Sequence, residues 1–295
     1  ISNGLSQNRA QAIFQASDGY IYVGSQGGLD RFDGYNFKYF SHNPSDSTTV
    51  PFGWVSAIGE DSQKNLWVGT TQKTLGYLKP DGSWKRVKLQ GMEGWDRDGR
   101  SWWWGFITDI KFINDEALIS SNGNGLFVIK NGVEKHYTSD KKEENIISEI
   151  KIVNDRIFVA TQGGVLELDT VNVNFKKTAI SSPVFAFSKL IDSNKFYVSS
   201  DKNIFLYDFK SNSSKDISIR TNKKKRAFRK ISVHDNKLWV LNESYGITIY
   251  DIISKSSVEL APPSIKDTEH FDIIVDRDNA VWVGTSSYGM MKFDP

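Results

Sequence analysis

The 295-residue chain has no cysteine, which excludes disulfide staples, thiolate zinc sites and cysteine nucleophiles. Histidine is nearly as scarce. His42, His136, His234 and His270 are scattered, with no HExxH or paired spacing, so neither a zinc centre nor a catalytic triad has a basis in the sequence. His270, beside Glu269, is the one expected near a functional rim, and it reads as an exposed loop residue. No apolar run approaches the roughly 18 to 20 residues of a membrane-spanning helix, and no signal-peptide pattern occurs. The chain starts at Ile1 rather than Met, which reads as a processed or excised fragment that has lost its targeting information.

Charge of either sign is not in excess. A net +2 argues against wholesale binding to nucleic acid or membrane, although residues 201–230 hold ten Lys or Arg against three Asp. Cofactor motifs are missing as well. NGNG at 122 lacks the phosphate-loop lysine and the third glycine of a dinucleotide fingerprint, and reads as a turn. DRDG at 96 opens like a calcium loop, but RSWWW follows it without further oxygen ligands. What remains, 39% hydrophobic and 24% charged, is ordinary globular material with enough length for a large core.

The chain is built on one repeated phrase. YIYVGSQGGLDRFDG at 20 returns as NLWVGTTQKTLGYLKPDG at 65, EALISSNGNGLFVIKNG at 116 and DRIFVATQGGVLELD at 155. It returns again as NKFYVSSDKNIFLYD at 194, NKLWVLNESYGITIYD at 236 and AVWVGTSSYGMMKFD at 280. Val23, Val68, Ile119, Val159, Val198, Val240 and Val283 align, at spacings of 45, 51, 40, 39, 42 and 43. Each copy reads as strand, polar break, strand, turn and a third strand ending near Asp, with a fourth strand usually following.

Four short strands every forty-odd residues is the period of a propeller blade. The expected fold is therefore all-β: one seven-bladed β-propeller over residues 1–295 with four-stranded antiparallel blades. Blade cores are expected near 20–40, 65–89, 116–138, 155–177, 194–219, 236–260 and 280–295. Trp67, Trp239 and Trp282, with Tyr22, Phe158 and Tyr197 in register, are expected to pack between blades. Gly24, Gly69 and Gly284 are expected to allow close backbone approach or a turn. The seventh copy stops after its third strand, so the closing blade is incomplete and short N-terminal pairing is expected to close the ring.

The opening resembles a known family. Gly4, Leu5 and Ser6, then Asp18 and Gly19, the strand Tyr22 to Ser25, and Gly28, Leu29, Arg31, Phe32, Asp33 and Gly34 are similar to the first repeat of two-component regulator propellers. LWVGT at 66 and VWVGT at 281 match as well. The resemblance implies the periplasmic sensor region of an inner-membrane receptor, a hybrid histidine kinase or a diguanylate-cyclase protein. It also implies a kinase or cyclase output domain elsewhere, a homodimer of the full-length receptor, and membrane attachment through a segment absent here. It carries no catalytic or ligand residue onto named positions.

Strand order locates the unusual residues. In an up-and-down blade of strands A to D, the D-to-A connections and B-to-C turns share one face. GMEGWDRDGRSWWWGF (91–106), VPFGW (50–54) and RTNKKKRAFR (220–229) are all D-to-A connections, so they converge around one mouth of the central channel. Trp54, Trp95, Trp102, Trp103 and Trp104 would form an aromatic platform there, with Arg97, Arg100, Lys223, Lys224 and Arg226 supplying charge. Such a surface suits an anionic oligosaccharide or a protein partner. Two other readings remain open: the tryptophans enter the inter-blade core or plug the channel, and the KKKR run is a solvated loop.

Three functions fit. The first is a non-catalytic sensor that binds a small molecule, an oligosaccharide or a partner protomer. The second is a propeller enzyme such as a polysaccharide lyase or glycosidase, for which no acid and base pair stands out. The third is a protein-interaction scaffold. Fold alone does not choose among them.

Overall fold

The structure is a computed structural model that describes residues 4–92, 105–217, 219, 227–242, 246–260 and 268–293. Six antiparallel sheets of four strands, each in the order A-B-C-D, and one of three strands follow one another along the chain. The inner strands A are Ala10–Gln15, Val55–Glu60, Ile107–Ile113, Ile147–Val153, Val184–Leu190, Phe228–His234 and His270–Val275. Each lies beside the next, and the seventh returns to the first, so the sheets are blades around a central channel. The fold is the expected seven-bladed propeller, and its only helix among the described residues is the 3-10 turn Lys142–Asn145.

A blade covered on both faces has no solvent side, and the second strands show the consequence. All five residues of Ile21–Ser25 and of Val281–Thr285 are buried, although the two-residue side-chain period sends them to opposite faces. An apolar cluster occupies each of the seven interfaces, assembled from two successive positions of strand B. The first position faces the preceding blade, as Leu66 does in the cluster shared with Val23's neighbours Tyr22 and Leu29. The second, aromatic in six of seven blades, faces the following one; Trp67 does so with Ile107 and Ile110, and Trp282 with Ile13 and Ile21. Each such side chain stabilises the ring by roughly 1.5–3 kcal/mol through burial.

Polar features of the repeat also have physical roles. The A-to-B turn aspartate receives the aromatic's donor: Trp67 Nε1 donates to Asp61 Oδ2 at 2.8 Å and Trp282 Nε1 to Asp276 Oδ2 at 2.6 Å. At the C-to-D turns, the aspartate ending strand C accepts backbone N–H groups two and three residues on, as Asp169 does from Val171 and Asn172. Gly24 permits close approach, since a Cβ there would stand 2.7 Å from the carbonyl oxygen of Val55 in the next blade.

The closing blade has three strands among the described residues, as expected, and the N-terminal segment reaches it through one backbone bond without forming a fourth strand. Among the described residues no strand pairs with the outer edge of Met290–Phe293, and the N-terminal segment forms no ladder there. Gly289 N donates to Asn8 O at 2.6 Å, while Leu5 is buried with Trp282 and against Met290. An apolar side chain gains more in that interface than at an open strand edge, which draws the segment between blades 7 and 1. Further locks join the same blades: Ile13 N donates to Asp272 Oδ2 at 2.9 Å, and Arg277 donates to the carbonyls of Ala16 and Ser17.

Candidate functional site: the channel and its mouth

Hydrogen bonds between B-to-C turns and D-to-A connections place both on one face. Thr71 N donates to Trp54 O at 3.0 Å, Asn122 N to Phe106 O at 2.9 Å, and Ser286 N to Glu269 O at 2.9 Å. At this mouth every inner strand carries a bulge, where one residue is skipped in pairing with strand B. A bulge re-aims side chains, and here it displays Gln11, Ser56, Thr108, Ser148, Phe185, Arg229 and Phe271.

The displayed residues divide the rim into two halves. Over blades 2 to 4 they are hydroxyls that bind the next inner strand: Ser56 Oγ donates to Ile107 O at 2.6 Å, Thr108 Oγ1 to Ile147 O at 2.7 Å, and Ser148 Oγ to Val184 O at 3.2 Å. Over blades 5 to 7 they are Phe185, Arg229 and Phe271, aromatic and basic, and in blade 1 the amide of Gln11 takes the position beside Arg9. The Arg229 guanidinium lies 4.6 Å from the Phe185 ring centroid. That of Arg9 lies 4.5 Å from Phe271 and 5.1 Å from Trp54, held by Gln11 and, loosely, by Glu269 at 4.0 Å. Arg9 is thus fixed between rings of blades 7 and 2, an arrangement that pre-orients guanidinium N–H groups toward a planar anion.

Below the rim the channel is charged. At the first position after each bulge stand Ala12, Ala57, Asp109, Glu149, Ala186, Lys230 and Asp272. An inner strand's channel edge has no neighbouring strand, so its N–H groups need other acceptors. Asp109 Oδ2 accepts Ile150 N at 3.0 Å, Asp272 accepts Ile13 N, and Glu149 Oε1 accepts Phe187 N at 3.4 Å, each from the following blade. Lys230 Nζ donates to Glu149 Oε2 at 2.8 Å, from blade 6 past blade 5 to blade 4.

Burial pushes the carboxyls of Glu149 and Asp272 up, against the pull of Lys230. Burial would lower the Lys230 ammonium, but Glu149, Asp272 and Asp109 together raise it. Asp109 likewise raises Lys111, whereas burial lowers Lys151. Lys111 is surrounded by protein yet its side chain keeps 43% of its accessibility, so solvent reaches this part of the channel.

Of the residues expected to form the site, Trp54 stands at the rim, half-buried, with its indole N–H facing Gln11 Oε1 at 3.4 Å. Trp95, Arg97, Arg100, Trp102, Trp103, Trp104, Lys223, Lys224 and Arg226 lie outside the described residues. His270 corrects its expectation. It is the first residue of the seventh inner strand, 3% exposed, and burial depresses its pKa. It sits under the rim because that strand begins one residue earlier than a loop reading allows. Arg9, Phe185, Arg229 and Phe271 were not singled out by sequence. Their signal is positional, one residue before or one after the start of an inner strand.

Known proteins share this architecture. Residues 49–72 match the two component regulator propeller model. That segment holds Trp54 and the LWVGT strand of blade 2. A 48-residue stretch, 16% of the chain, is 44% identical to histidine kinase P4 of Formosa agariphila and covers 4% of that protein. The extracellular domain of a hybrid two component system from B. thetaiotaomicron superposes over 98% of this chain and 40% of its own, with TM-score 0.78 and 19% identity. The extracellular domain of a one component system from the same organism does so over 97% and 42%, with TM-score 0.58 and 16% identity. The WD40 propeller of Doa1 also superposes, over 98% of this chain and 93% of its own, at TM-score 0.68 and 16% identity. These likenesses show a shared fold, and the chain spans less than half the length of the two extracellular domains from B. thetaiotaomicron.

Proposed function

We propose that this propeller is a non-catalytic, extracytoplasmic sensor module of a bacterial signalling receptor, and that it reads a ligand at the mouth shared by the D-to-A connections. The observation that carries this reading is Arg9, held between Trp54 and Phe271 at that mouth. A stacked guanidinium recognises a carboxylate or sulfate, and indole faces take up the C–H surface of a sugar, so an anionic oligosaccharide suits the combination. Trp95, Arg97, Arg100, Trp102, Trp103 and Trp104, with Lys223, Lys224 and Arg226, are the further contacts proposed. The matched family model and the two-component neighbours support a periplasmic placement and a kinase or cyclase output beyond this segment.

A thermal-shift titration with uronic acid-containing and sulfated oligosaccharides, neutral oligosaccharides, amino acids and nucleotides tests the reading. The expected result is a dose-dependent rise in melting temperature with the anionic sugars, lost in Arg9→Ala and in the Trp102→Ala, Trp103→Ala, Trp104→Ala triple variant. No shift with any class, or conversion of the sugar to product on incubation, overturns it.

A further inference from the structure

The apolar cluster between blades 2 and 3 does not fill that interface to its end. On the face that carries the A-to-B and C-to-D turns, opposite the rim described above, it opens into a hollow of about 540 Å³. One residue accounts for it. At the first position of strand B, which packs on the preceding blade, the other copies place Ile21, Leu66, Ile157, Phe196, Leu238 and Val281, whereas blade 3 has Ala117. The missing side chain would have met Trp67 and Phe112, and both remain only half-buried.

We infer that this hollow is a binding site for a neutral saccharide. Its floor is a continuous aromatic surface: Trp67 stacks on Tyr77 at 4.9 Å and 27°, and meets Phe112 edge-on at 5.7 Å. Rings already packed on one another cannot close around a cation, but their faces accept the weakly positive C–H edge of a pyranose. Asp61 fixes that floor, because its carboxylate accepts Trp67 Nε1, Asn65 Nδ2 and the backbone N–H groups of Gln63 and Asn65.

The rim supplies hydroxyl partners. The side-chain amides of Gln63, Asn114 and Asn131 lie exposed around the opening, and each offers both donors and an acceptor. Among the described residues no Lys or Arg lines the hollow, while Asp61 and Asp115 do, so an anionic sugar is repelled. The volume falls within the range of about 300–1,000 Å³ typical of small-molecule sites.

The test is saturation-transfer NMR and calorimetric titration of the protein with maltose and with cellobiose. Wild type is expected to transfer saturation to sugar ring protons. Ala117→Leu installs the residue that blades 2 and 6 already use, so it should melt no lower than wild type and bind at least about tenfold more weakly. Asn131→Ala, at an exposed position, should weaken binding several-fold without changing the melting temperature. Arg9→Ala, at the opposite face, should bind as wild type, which separates this site from the proposed anion mouth. The inference is overturned if wild type shows no transfer to either sugar, if Ala117→Leu binds normally, if Arg9→Ala abolishes binding, or if tetramethylammonium alone shows transfer.

Discussion

Lys230 Nζ and Glu149 Oε2 meet at 2.8 Å in the channel, joining two blades that are not neighbours in the ring. The side chains keep 25% and 16% of their accessibility, so each has lost most of its water and relies on the other. Replacing Lys230 by Met leaves a buried carboxylate with its neighbour Asp109 and no ammonium from blade 6. The expected loss is roughly 2–4 kcal/mol in urea unfolding, somewhat below the usual figure for broken buried pairs because solvent enters the channel. The Lys230→Met, Glu149→Gln double variant should recover much of it, and a double-mutant cycle measures the coupling.

Asp30 provides a pH dependence of known sign. It is 1% exposed, accepts Ser6 Oγ at 2.7 Å, and burial pushes its carboxyl up to about 6. An unfolded aspartate titrates near 3.9, so between roughly pH 4 and pH 6 the native state binds more protons than the unfolded state. Stability from this group is therefore fully present below about pH 4 and falls as pH rises through about 6. Asp30→Asn should match wild type near pH 3.5 and exceed it at pH 7 by up to roughly 3 kcal/mol, read from denaturation at both values.

The hydroxyl half of the rim can be tested by itself. Ser56 is buried and donates to Ile107 O, linking blade 2 to blade 3. Ser56→Ala leaves that carbonyl without its donor and is expected to cost about 1 kcal/mol. The same change at Ser148, whose bond is longer at 3.2 Å, should cost less, and thermal melts of the two variants compare them directly.

The strand period was legible because each blade repeats the same burial demand. Val23, Val68 and their equivalents had to be apolar, so the copies aligned and the blade number followed. The face of the D-to-A connections was legible too, since it depends only on antiparallel order. Other features depend on which residue a bulge displays, and nothing in Gln11-Ala12 or Arg229-Lys230 marks the skipped position. The charged network was hidden for the same reason: Glu149 and Lys230 are 81 residues apart, and only ring closure brings them together. Ala117 lay in plain view within the aligned repeat, but a small residue among larger ones carries meaning only when the facing wall is known to leave its space empty.

At the mouth, Arg9 is the residue on which the proposed anion recognition turns. Its ring contacts hold the guanidinium plane and Gln11 takes one N–H, so a lysine there would keep the charge but lose the planar fork. Arg9→Lys should therefore weaken a carboxylate-bearing oligosaccharide almost as much as Arg9→Ala. Both are expected at roughly 10- to 100-fold by calorimetry, the range of a charge-assisted bond of about 1.5–3 kcal/mol. Trp54→Phe keeps an aromatic face for Arg9 and gives up only the long contact to Gln11, so it should weaken binding far less. Equal affinity for Arg9→Lys and wild type would mean that charge alone is read, and the stacked geometry would then have no part in recognition.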